Sequence, residues 1–171
     1  MKSKFIVAGL FILSLFSSCK NGENTEAEGK DNVSIVIETV FAKNDYLQIY
    51  YLVKGSEWSD ANSVSKPIYA SNEMQTVDFE LPKGIIPENL RIDLGTNPTQ
   101  NNVTIKNITV KYKSHVVNGD FGNYSKYFAP NIFVTWDPEY VGHKLIKVDN
   151  QYDPFIIGND LLVSKLKKFK S

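Results

Sequence analysis

Val103-Thr104-Ile105-Lys106-Asn107-Ile108-Thr109-Val110-Lys111-Tyr112 is a β-rich run whose alternation changes phase half-way. Successive side chains of a strand point to opposite faces. Val103 and Ile105 therefore share one face, whereas Ile108, Val110 and Tyr112 fall on the other if pairing is regular. One extra residue at Lys106-Asn107, a β-bulge, returns both halves to a single buried face. A strand that crosses between two sheets gives the same pattern, and the sequence leaves the two open.

Outward from this run, short stretches rich in Val, Ile, Thr, Tyr and Phe are split by Gly, Asn, Asp and Pro, which reads as strands and turns. In Val33 to Phe41, Val33, Ile35 and Ile37 share a face; Asp45 to Val53 follows a turn at Asn44-Asp45. Further strands are expected at Met74 to Leu81, Leu90 to Leu94, Ile132 to Trp136, Lys144 to Val148 and Phe155 to Ile157. This spacing predicts an all-β, antiparallel sandwich or barrel. At the C-terminus Leu162, Leu166 and Phe169 fit helix spacing, with Asn159 or Asp160 as cap, although a last strand fits so short an apolar run as well.

In Leu90-Arg91-Ile92-Asp93-Leu94-Gly95, the apolar residues face in and Arg91 and Asp93 face out. With the run from Val103 it reads as one hairpin-like pair joined by a long polar connection. This pair resembles the paired strands of galactose-binding-like jelly rolls, and Val117-Asn118-Gly119-Asp120-Phe121 resembles a phrase of the same modules, where it usually opens the domain. The resemblance spans roughly Leu90 to Trp136. It implies a jelly-roll-like sandwich and permits sugar binding, since many carbohydrate-binding modules use that fold. Such jelly rolls often hold a structural calcium, for which Asp149, Asn150 and Asp153 are the candidate oxygen ligands.

The N-terminus carries an address. A basic start at Met1-Lys2-Ser3-Lys4 precedes an apolar run from Phe5 to Phe16, too short to span a bilayer but suited to a secretory signal. Phe16-Ser17-Ser18-Cys19 resembles the lipobox of bacterial lipoproteins, and Cys19 is the chain's single cysteine. The resemblance implies a signal peptide over residues 1–18 and lipid on Cys19. Residues 19–31 then form the lipidated cysteine and a flexible tether without a large apolar residue. Its acids, Glu23, Glu26, Glu28 and Asp31, resemble the leader of Bacteroidota lipoproteins exported to the outer face of the outer membrane. Residues 32–171 are left as one β-sandwich domain, anchored to the membrane through lipid.

The chain holds 19 basic and 19 acidic residues; losing Lys2 and Lys4 with the signal leaves 17 against 19. With no basic stripe to meet phosphates, nucleic acid is not an expected partner. One cysteine makes no disulfide framework, so burial alone must hold the fold.

Catalytic signals are sparse. His115 and His143 stand apart, without metal-ligand spacing, and are expected at the surface or an edge. No serine lies in a nucleophile elbow. Asp137, Glu139, Asp149, Asp153 and Asp160 are numerous enough for paired-acid glycoside hydrolysis, but Asp137-Pro138 and Asp153-Pro154 read first as turns. Binding leaves the clearer trace. Trp58, in the polar stretch Gly55 to Asn62, and Tyr124 and Tyr127, in another loop-like segment, are candidate ligand-binding aromatics, whereas Trp136 ends an apolar strand and is expected to be buried.

Two readings emerge, an envelope lipoprotein that binds glycan without catalysis and a structural or assembly lipoprotein that contacts another envelope protein. A glycan-processing hydrolase is third. Glycan binding calls for exposed aromatics around a groove; assembly calls for a broad apolar patch.

Overall fold

A computed structural model describes residues 31–170. The signal segment, Cys19 and the tether up to residue 30 lie outside the described residues. Eleven strands follow in order: β1 Ser34–Phe41, β2 Asp45–Leu52, β3 Ser63–Ile68, β4 Gln75–Glu80, β5 Asn89–Asp93, β6 Asn102–Tyr112, β7 His115–Val117, β8 Phe128–Pro130, β9 Val134–Asp137, β10 Gly142–Leu145 and β11 Phe155–Gly158. Among the described residues one α-helix, α1 Asp160–Lys167, follows the last strand.

The strands form two antiparallel sheets, an all-β sandwich. The first has the order β4-β1-β6-β10-β9, with β7 also on β6; the second has the order β3-β2-β5-β11-β8. Alternation along each strand supplies the core. Ile35, Ile37 and Phe41 of β1 meet Leu47, Ile49 and Tyr51 of β2 and Leu90 and Ile92 of β5 in one buried cluster that runs from Val33 to Phe169. Both sheets and this cluster lie within the described residues, so the segment from Asp31 onward holds the contacts that build the fold.

The phase change in β6 is a bulge. β1 pairs Glu38 with Asn107 and Thr39 with Ile105, so Lys106 is the extra residue. Val103, Ile105, Ile108 and Val110 are consequently all buried, while Lys106 is exposed. A bulge breaks the ladder and leaves polar groups to satisfy. Thr39, fully buried among the apolar positions of β1, donates its hydroxyl to the Thr104 carbonyl at 2.7 Å, and the Lys106 carbonyl accepts from Gly122 N–H at 3.0 Å.

The expected pairing of Leu90 to Leu94 with the run from Val103 does not form. β5 lies between β2 and β11, and β6 lies in the other sheet between β1 and β10. Both strands bury one face, but they do so across the core. Alternation fixes which face is buried and carries no information about which strand lies alongside. The connection that crosses between sheets is held by Asp45, which is buried and accepts from the Thr96 and Asn97 amides at 2.9 and 3.0 Å.

The strands that the sequence left as loops are β3, β7 and β8. β3 and β8 are edges that carry Pro67 and Pro130, tolerable where no ladder partner needs the missing N–H. The C-terminal ambiguity resolves to helix. Asn159 caps α1 by accepting from the Leu161 and Leu162 amides, and Leu162, Leu166 and Phe169 are buried.

Deleting Lys106 should leave a regular strand in which Val103, Ile105, Ile108 and Val110 still share the buried face. We expect that variant to unfold cooperatively in urea with a loss of about 1–2 kcal/mol. Collapse of the fold would show that the core depends on the bulge.

Candidate functional site

A cleft of about 660 Å³ opens between the sheets beside the bulge, within the usual range for small-molecule sites. β6 contributes Thr104, Ile105 and Lys106; β10 contributes His143 and β9 Trp136; Phe128 and Pro130 of β8 and Ile156 of β11 face them from the second sheet. Met74, Phe121, Gly122, Tyr124, Ser125 and Val141 complete the lining.

The segment after β7 is built by turn chemistry. The Asn118 side chain accepts from the Asp120 amide at 2.9 Å, and the Asp120 side chain from the Phe121 amide at 2.8 Å. At Gly119 a Cβ would collide with the Ile108 carbonyl, so only glycine lets this segment pass so close to β6. The phrase Val117 to Phe121 is thus a tight turn against the strand. It delivers Phe121, 85% exposed with φ +54°, to the rim, and then Gly122 at φ +78°, whose N–H is tied to the bulge.

Across the cleft, the β9–β10 hairpin brings Trp136 and Val141 to the rim, 56% and 66% exposed. Val141 has φ +50°, unusual for a β-branched residue. Two exposed apolar side chains at the rim are therefore held in backbone conformations that cost energy and bury nothing. Such strain gathers where structure serves a ligand or a moving part.

The floor is polar but neutral. Tyr124 is buried, and its hydroxyl lies 2.9 Å from His143 Nε2. Burial pushes the Tyr124 pKa up to about 12, so the phenol keeps its proton, and burial pulls that of His143 down. If the phenol donates to Nε2, only Nδ1–H of His143 is left without a partner; the opposite tautomer would orphan the phenol hydrogen too. Satisfaction therefore assigns the Nδ1–H form. Trp136 packs edge-on against His143 at 5.6 Å, and Tyr124 at 6.1 Å, which continues the aromatic wall from rim to floor.

The expected site residues scatter. Tyr124 lines the cleft, but as a buried floor residue rather than an exposed loop aromatic. Tyr127 is half-buried and packs on the core, and Trp58 is half-buried outside the cleft. Two expectations reverse: Trp136 is exposed because its side of β9 faces the cleft, and His143 is buried because β10 lies next to β6 inside the sheet. His115 is half-buried, edge-on to the ring of Phe169.

The acids do structural work. Asp149 and Asn150, at φ +51° and +61°, form a tight turn between Val148 and Gln151, which exchange two backbone hydrogen bonds. Asp153 lies 3.0 Å from Arg91, and the Asp137 side chain accepts from the Glu139 amide at 2.9 Å. Asp160 sits in the first turn of α1. None of these six residues, five carboxylates and the Asn150 amide, lines the cleft. Among the described residues no group of three or more His, Cys, Asp or Glu is placed to hold a metal ion.

A second polar cluster covers the outer face of the β5 sheet. The register sets Tyr50 beside Arg91, and Asp93 between Gln48 and Phe155. Arg91 binds Asp93 through two hydrogen bonds, of 2.6 and 2.8 Å, and lies over Phe155 at 3.8 Å. Tyr50 donates to Asp60 at 2.7 Å.

Compared with known proteins, the chain matches no family model, no curated protein and no solved structure.

The lowered pKa of His143 makes a pH prediction. Above its ordinary value of 6.5 the ring is neutral in both states and adds no pH dependence. Below it, the unfolded chain takes a proton that the buried ring refuses, so unfolding gains and stability falls with pH until the folded pKa is reached. Urea midpoints should therefore drop more between pH 7.5 and pH 5 for the native chain than for His143→Gln. Equal drops would mean that His143 is not buried neutral.

Proposed function

We propose that the protein is an envelope-tethered, non-catalytic binding module whose ligand site is this cleft. One observation carries the reading: the exposed apolar side chains Phe121, Trp136, Val141 and Met74 all line a single ligand-sized opening. Scattered exposed hydrophobics need no explanation; convergent ones do. An assembly surface calls for a broad patch, whereas this is a concave site with walls from both sheets. A non-catalytic role suits the lining, which pairs no carboxylates and uses its one histidine in a neutral, buried hydrogen bond. Lipid on Cys19 and a surface position on the bacterial outer membrane complete the proposal on the strength of the lipobox-like segment.

Glycan remains a second reading, and it favours a different surface. Sugar sites set aromatic rings beside amides and acids that meet hydroxyls. The cleft lining has neither amide nor acid side chains, whereas Tyr50 and Phe155 stand with Gln48, Asp60 and Asp93 on the outer face of the second sheet.

The segment from Asp31 onward, exposed in parallel to envelope lipid extract and to a glycan array, should retain a compound that mass spectrometry identifies. Trp136→Ala should weaken retention at least about fivefold while leaving the urea midpoint unchanged. Retention that survives both Trp136→Ala and Phe121→Ala would remove the cleft; glycan retention lost in Tyr50→Ala would move the site to the outer face.

A further inference from the structure

Among the residues that line the cleft one carries a charge, Lys106, and none is a carboxylate. We infer that the ligand is a free amphiphilic carboxylate, an apolar body with a single anionic head, and that Lys106 is its head-group contact. This rests on the cleft being the ligand site and goes on to name what the site takes.

Lys106 is where it is because of the bulge. As the extra residue of β6 it is excused from the alternation that buries Ile105 and Ile108, and its carbonyl is anchored by Gly122. Bulges re-aim side chains beside functional sites. Here the bulged residue is a cation beside an opening whose other lining residues are uncharged. Its partner is Glu38, 3.4 Å away, with side chains 47% and 24% exposed. That separation exceeds the 2.7–2.9 Å usual for charge-assisted hydrogen bonds, and an exposed pair of this kind is weakly held. The ammonium is therefore available to share with a ligand.

The alternatives fit less well. A molecule filling the cleft removes water from one side of Lys106, and an anion compensates that lost hydration most fully. A cation would meet the lysine, and no acid lines the cleft to offset it. A neutral polyol would find few free groups, because Ser125 already donates to the Gly122 carbonyl and the Tyr124 hydroxyl is engaged with His143. The body of the ligand is specified by the remaining wall: Ile105, Phe121, Phe128, Trp136, Val141 and Ile156 offer hydrocarbon and ring surface.

Octanoate, 1-octanol and octylammonium share one tail and differ only in the head. Each would be titrated into the segment from Asp31 onward, with the backbone amides of Gly122 and His143 followed by NMR. Octanoate should bind about three- to tenfold more tightly than 1-octanol, a range set by a partly exposed ion pair, and octylammonium should bind weakest. Lys106→Met, which keeps the aliphatic stem, should bring octanoate down to the affinity of 1-octanol without changing the latter. Lys106→Arg should preserve the preference, and Glu38→Gln should strengthen octanoate binding about two- to threefold. Equal affinities for octanoate and 1-octanol, or a preference that persists in Lys106→Met, would overturn the inference while leaving the cleft as a ligand site. Failure of all three compounds to move either resonance would remove the cleft reading itself.

Discussion

The bulge at Lys106 is the constraint on which the rest of the site depends. A strand of period two cannot place both Ile105 and Ile108 in the same core unless one residue is left over. The leftover residue disturbs the ladder, and the disturbance is resolved by two hydrogen bonds that reach beyond the strand pair. Thr39 turns its hydroxyl to the Thr104 carbonyl inside the core, and Gly122 gives its amide to Lys106 outside it. The second bond fastens the turn that carries Phe121, so one irregularity in β6 helps to set a cation and an aromatic rim around the same opening.

That opening is maintained against ordinary packing forces. Phe121 and Val141 occupy left-handed backbone conformations that favour glycine, and each exposes its side chain. Tyr124 and His143 spend a buried hydrogen bond on one another and leave Nδ1 without a partner. Each of these is a local departure from what folding alone would select, and all of them fall around one cleft.

The sequence made the fold class legible because alternation reports burial directly. β1, β2, β4, β5, β6 and β11 were readable from their apolar phase, and so was the phase break in β6, although a bulge and a crossing between sheets fitted it equally until the pairing register decided for the bulge. Pairing was not readable. β5 and β6 look like partners because they are near in sequence and equally apolar, but the Asp45-bound connection between them carries the chain across the core. The site was harder still. Trp136 and His143 exchange their expected exposures because exposure on β9 and β10 depends on which wall stands opposite, and β8 and β11 come from the other sheet. Tyr124 was singled out by residue type, yet its place at the floor of the cleft follows from a turn packed on the Ile108 carbonyl, a contact that only Gly119 hints at. Thr39 and Lys106 could have been singled out: a hydroxyl in a core phase and a lysine at a phase break are both visible signals.

One feature of β1 bears on how such a protein would work from a membrane. Its first residue, Ser34, pairs with Lys111 and Glu80, whereas Thr39 and Val40 pair with Ile105 and Thr104 at the cleft. At about 3.4 Å per residue the two ends are separated by roughly 17–20 Å. The described chain thus enters at one end of the strand and the cleft opens towards the other. Under the proposed anchoring, the body of the sandwich serves as a spacer: the mouth is carried clear of the lipid headgroups, and a ligand could be met from the aqueous side while the holder diffuses in the plane of the bilayer.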